Sequence, residues 1–142
     1  MATQPDLGRL LLEAQRALAA ELTFAFEERG YPDLRPGHAA VFLHIDRRSG
    51  SRLSELAARA RVTKQSMMLT VDELEARGYV RRAADRDDAR AKLVRLTTRG
   101  RTAAAECRRA VQAVETRARR QLGDRPYAQL RDGLVELGAA EE

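Results

Sequence analysis

The chain has one cysteine, no tryptophan, and three tyrosines and three phenylalanines among its 142 residues. A single cysteine cannot build a paired disulfide framework, so stability has to come from packing. Aromatics at 4% are too sparse for the stacking platforms that hold single-stranded DNA or RNA. No apolar run approaches the roughly 18 residues of a membrane span. The opening MATQPDLGRL carries neither a basic leader nor a small-residue cleavage site. These absences lead to an expectation of a cytoplasmic globular protein with no membrane association. Catalytic signatures are missing too: there is no phosphate loop, no nucleophile elbow and no cysteine beside a histidine motif, so no catalytic residue and no cofactor are assigned.

Metal chemistry is excluded on spacing. Asp85, Asp87 and Asp88 suggest a cation loop, but an EF-hand register starting at Asp85 requires glycine at position 90 and glutamate at position 96, where the chain has Arg90 and Leu96. His38 and His44 are six apart on one expected helix and therefore lie on different faces, which does not make a paired ligand set.

Positive charge, in contrast, is abundant and localised. The whole chain carries +5, whereas residues 51–101 alone hold 13 Lys and Arg against 7 Asp and Glu. The surplus of the entire protein therefore lies in its middle third, the footprint of a polyanionic partner. Arginine accounts for 24 of the 26 basic residues; coding bias explains that choice of residue but not its position.

Hydrophobic spacing supplies the elements. From Asp6 to Arg29 apolar residues recur at 7, 10, 11, 14, 18, 22, 25 and 26, one face of a helix, with Leu12, Ala19 and Phe24 off that stripe. A helix apolar on more than one side is expected to meet a second chain as well as its own core. GYPDLRPG interrupts it, and Pro36 suits the first turn of a helix running through HAAVFLHIDR. The stretch from Ser51 to Val80 reads as two helices joined by a tight turn, with Ser54 and Thr63 as N-caps and Gly78 as the stop. In the second of these, Met67, Thr70, Val71 and Leu74 share one face, and Lys64, Gln65, Met68, Leu69 and Asp72 the other. This is a helix-turn-helix whose second helix enters the DNA major groove. YVRRAA and KLVRLT alternate as two antiparallel strands joined by a charged loop at 85–91. Thr97 caps a long helix with the stripe Ala103, Cys107, Val111, Val114, Ala118 and Leu122. A last helix is expected after Pro126, with Tyr127, Leu130, Leu134 and Leu137 on one side. On that stripe Cys107 reads as a small buried hydrophobe.

This order, together with Asp88, Arg90, Val94, Leu96, Thr97 and Gly100 in the ribbon and with LSELAARARVT and VDELEARGYVRR before it, resembles the MarR family of winged helix-turn-helix transcriptional regulators over nearly the whole chain. The resemblance implies a mainly helical fold with a small β-wing. It divides one 142-residue domain into a helical dimerisation region (6–34 and 102–142) and a winged lobe (35–101). It also implies a homodimer on a pseudo-palindromic operator in double-stranded DNA, and a repressor released by a small, often aromatic and anionic, effector. The family often carries an arginine where this chain has Ala89, a proline where it has Arg86, and an arginine where it has Leu69.

The residues assigned to DNA are Thr63, Lys64, Gln65, Ser66, Met68 and Leu69 on the reading helix and Arg86 and Arg90 on the wing, with Asp88 orienting Arg90. The N-terminal end of such a helix meets the bases, and arginine is drawn to narrow A·T-rich minor grooves. Met68 and Leu69, if exposed, contact thymine methyls; the alternative is that they pack on the neighbouring strand or first helix. Family geometry assigns Phe26, His38 and Phe42 to an effector pocket. The competing functional class is a dimeric small-molecule-binding or helical interaction protein that has lost operator recognition.

Overall fold

The computed structural model describes residues 3–139. Helix α1 (Leu7–Glu28) begins where the Asp6 carboxylate accepts the Arg9 backbone amide at 2.9 Å, satisfying one of the free N–H groups of a first turn. After the Gly30–Pro32 break, a single 3₁₀ turn (Pro36–His38) leads into α2 (Ala39–His44). The expected helix through residue 47 stops three residues early: Ile45 is already extended, and Asp46 folds its carboxylate onto the Arg48 and Ser49 amides.

That Asx turn serves an element the sequence did not announce. Ser51 and Arg52 form a short strand, β1, which pairs antiparallel with β3 (Lys92–Leu96) in the register Ser51 opposite Val94. The cap assigned to Ser54 therefore moves: α3 (Leu53–Ala60) starts at Arg52, with no side-chain cap, and Ser54 lies inside the first turn. Thr63 caps α4 (Lys64–Ala76) as expected, its hydroxyl accepting the Ser66 amide at 3.0 Å. The helix is closed by Gly78 at φ +82°, a backbone state that glycine adopts without steric cost. Strand β2 (Val80–Ala84) pairs with β3 as a hairpin, giving the sheet order β1-β3-β2.

Thr97 starts α5 (Thr98–Leu122) with its hydroxyl on the Gly100 amide at 3.0 Å. Close approach explains Gly100: a Cβ there would lie 1.8 Å from the Tyr79 carbonyl oxygen, so the first turn of α5 seats backbone on backbone against the start of β2. The final helix α6 (Asp124–Ala139) begins two residues before Pro126 rather than after it. Proline is tolerated there because first-turn amides have no helical acceptor.

The core is continuous from the end of α1 to the first half of α5. Phe26, Val41, Phe42, Leu56, Val71, Leu74, Tyr79, Ala103 and Cys107 are all fully buried. Tyr79 is its polar anchor. Its hydroxyl donates to Asp33 Oδ1 at 2.8 Å and accepts from Arg99 at 2.9 Å, while Phe42 meets its ring edge-on. Burial, followed by the Asp33 hydrogen bond, raises the phenol above its ordinary value.

Candidate nucleic-acid interface

Helix α4 separates two functions by face. Met67, Val71 and Leu74 are buried, whereas Thr63, Lys64, Gln65, Ser66, Met68 and Leu69 are all exposed. Met68 and Leu69, at 43% and 59% exposure, are open to solvent, so packing on a strand or on α1 does not account for them. Thr63 and Ser66 share the cap hydrogen bond, and Thr70 turns its hydroxyl back onto the Ser66 carbonyl. The exposed row consequently offers Lys64, Gln65 and two apolar side chains outward.

The orientation of α4 is set from behind. Arg82 on β2 donates to Asp72 at 2.6 Å and to Glu75 at 2.7 Å, and its own amide reaches Glu75. On the other side, Glu73 accepts from His38 Nε2 at 2.7 Å, and Arg77 lies 3.3 Å from the same oxygen. The other ring nitrogen of His38 accepts the Arg35 amide at 2.9 Å. Burial holds His38 below its ordinary value, against the opposing pull of Glu73.

The wing is pinned at its base and open at its tip. Asp85 accepts both Nε and Nη2 of Arg52, at 3.1 and 2.8 Å, and also the Asp87 amide. Those hydrogen bonds, the backbone one first, hold its carboxyl below the usual carboxylate range. The Asp88 carboxylate accepts the Arg90 backbone amide at 3.0 Å. The Arg86 and Arg90 side chains are exposed and make no ion pair among the described residues.

Between the wing and the first turn of α4 lies a groove of about 360 Å³ lined by Arg52, Ser54, Lys64, Arg82, Arg90 and Lys92, with no carboxylate in its wall. The structure thus brings Lys64 and Arg90 together and adds Arg52, Arg82 and Lys92, which sequence reasoning passed over. One signal was available: the chain has only two lysines, and both line this groove.

Of the three residues assigned to an effector, Phe26 and Phe42 are fully buried and His38 is 2% exposed with both ring nitrogens bonded. An apolar groove of about 660 Å³ is lined by Leu11, Leu18, Leu22, Gly37, Val111 and Leu134 among others. No group of three metal-ligating side chains occurs among the described residues, and no helix is long and apolar enough to cross a membrane.

Comparison with known proteins places this geometry. Residues 33–91 match the MarR family. CouR from Rhodococcus jostii bound to p-coumaroyl-CoA is similar at 27% identity over 97% of each chain, with a TM-score of 0.77. The repressor CouR on a 23-mer DNA duplex is 26% identical over 94% of this chain and 90% of the other, TM-score 0.73. A MarR-family protein of Mycobacterium tuberculosis in complex with salicylic acid is 28% identical over 96% and 99%, TM-score 0.67. No curated protein sequence gives a significant match. Over residues 33–91, which hold the reading helix and the first wing strand, the chain is thus similar to the MarR family, and over nearly its full length it shares the fold of these solved structures.

Proposed function

We propose that this chain is a cytoplasmic repressor that binds a pseudo-palindromic site in double-stranded DNA as a homodimer, with residues 35–101 as the DNA-binding lobe and 6–34 with 102–142 as the dimerisation region. One observation carries the reading: a helix whose outward face is exposed sits beside a wing whose tip arginines lack acidic partners among the described residues. In this arrangement Thr63, Lys64, Gln65, Ser66, Met68 and Leu69 face the major groove, Gln65 pairing with a base edge and the two apolar side chains meeting thymine methyls. Arg86 and Arg90, the latter set by Asp88, reach the flanking minor groove. The exposed leucines of α1 and α6 support the homodimer. The repressor assignment is supported by likeness to CouR, and an aromatic, anionic effector by likeness to the salicylate and p-coumaroyl-CoA complexes. The 660 Å³ groove between α1, the 3₁₀ turn and α5 is the site proposed for such an effector.

Duplexes selected from a random library, followed by affinities of two variants on selected and scrambled DNA, test the proposal. Gln65→Ala should relax preference at one symmetric pair of positions, costing about 1–3 kcal/mol there if the contact is bidentate. Arg90→Ala should weaken every duplex, most where the flanks are A·T-rich. Variants that fold and bind both DNAs as the parent does would remove these roles.

A further inference from the structure

The groove between wing and reading helix has a property that neither element has alone. Of its five basic side chains, two are neutralised in place: Arg52 by Asp85, and Arg82 by Asp72 and Glu75. The other three, Lys64, Arg90 and Lys92, are exposed and have no acidic partner among the described residues. Their charges are thus left facing a shared concavity that is walled in part by Ser54 and contains no carboxylate. Three unpaired cations around one hollow repel one another, an arrangement that an anion relieves.

DNA geometry says which anion. With α4 in a major groove and the wing tip in the adjacent minor groove, the sugar-phosphate strand dividing those grooves has to pass between the two elements. The hollow lies there. Lysine is a compact point charge on a flexible stem and binds phosphate without demanding the planar fork that arginine uses. In a chain whose other basic residues are all arginine, both lysines stand at this one place.

We infer that the groove seats a single backbone phosphate, held jointly by Lys64 from α4 and Lys92 from β3, with Arg90 and Ser54 at its rim. This rests on the DNA-binding reading above and alters one part of it: Lys64 contributes affinity and register rather than base selection, and Lys92 becomes a DNA-positioning residue.

The test compares the parent with Lys64→Gln, Lys92→Gln and the double variant on selected and scrambled duplexes across a salt series. A shared phosphate predicts that the double variant flattens the salt slope by about one unit on both DNAs, so that its deficit against the parent shrinks roughly threefold to fourfold between 50 and 200 mM salt. Each single variant should produce much of that effect and the pair should be non-additive, because both remove the same contact. Lys92→Arg, which keeps the charge, should keep the slope. Unchanged slopes overturn the seat, as do additive losses summing to two units, which would mean separate phosphates. Melting curves identical to the parent's establish that folding is not involved. If the parent binds no duplex at low salt, the regulator reading fails independently, and inorganic phosphate decides the seat. Amide shifts at Ser54, Lys64 and Lys92 that saturate with phosphate and vanish in the double variant sustain it as a free-anion site. Their absence overturns it.

Discussion

The winged lobe and the terminal helices obey different accounts of stability. From α2 to the start of α5 each helix commits an apolar face to one core, and α4 buries Met67, Val71 and Leu74. In α6, by contrast, no residue is buried, and α1 buries only Ala25 and Phe26 at its C-terminal end. Leu7, Leu10, Leu11, Leu12, Leu18 and Phe24 are exposed, as are Leu130, Leu134, Val135 and Leu137. Isolated helices of this length are marginal in water and depend on packing of an apolar face. The lobe is complete as one chain, whereas the terminal helices leave their apolar side chains uncovered, the face assigned above to the proposed homodimer.

The contrast can be broken most severely at the joint. Gly100→Ala places a methyl group in the Tyr79 carbonyl, backbone against backbone, and should cost about 3 kcal/mol or more. Urea unfolding checks this, and a midpoint within error of the parent's would mean that α5 can shift freely on the sheet.

Next in size is the pairing surface. Leu7→Glu with Leu137→Glu puts charge into the exposed apolar face of α1 and α6, outside the groove proposed for the effector. Light scattering should give 15.9 kDa where the parent gives twice that mass. Operator affinity should fall about 100-fold with the loss of linked half-sites. The lobe should retain its amide-exchange protection, and joint loss of both regions would erase the distinction drawn here.

A smaller effect separates the regions by pH. His38 lies in the lobe with its folded value lowered, chiefly by burial, while Arg35 and Arg77 oppose its protonation and Glu73 favours it. Below the unfolded value of about 6.5 the unfolded chain takes up a proton that the folded chain resists. Lobe stability is therefore full above that pH and declines as pH falls from 6.5 towards the lowered value. Glu73, Asp46 and Asp85 are depressed carboxylates and act only in more acid solution. Denaturant midpoints at pH 7.0 and 5.5 should differ for the parent and differ less for His38→Gln. Equal pH responses in both proteins would mean that the histidine is not the group responsible.

The smallest effect expected is at Cys107. Burial pushes its thiol up to about 11, leaving only about a thousandth as thiolate at pH 8. A thiol reagent should label it only at the rate of global unfolding, and fast labelling in the native protein would show that α5 opens where the two regions meet.

Periodicity made the lobe legible because its helices and hairpin each carry a complete apolar pattern, and Thr63 and Thr97 carry their caps. It failed where a neighbour decides. Ser51 and Arg52 have no period of their own and become β1 only because β3 offers an open edge. With those residues taken by the sheet, Ser54 loses the cap position. Phe26, His38 and Phe42 were assigned to a pocket by family geometry, with no signal in their own spacing, and they belong to the core. Lys92 was hidden within a well-alternating strand, and its rarity as a residue type was the better signal.

The Thr97 hydroxyl, besides receiving the Gly100 amide, donates to the Gly78 carbonyl at 2.7 Å, and the Thr97 amide donates to Tyr79. The end of α4, the start of β2 and the start of α5 are thereby fastened at one point, which makes α5 a lever with its fulcrum at the sheet. Its 25 residues give an arm of about 37 Å, against about 20 Å for the 13 residues of α4. A rigid swing that moves the far end of α5 by about 2 Å turns it through roughly 3° and carries the Lys64 end of α4 by about 1 Å. The gearing is a reduction of about two to one: coarse travel where two chains would meet becomes fine travel at the base pairs.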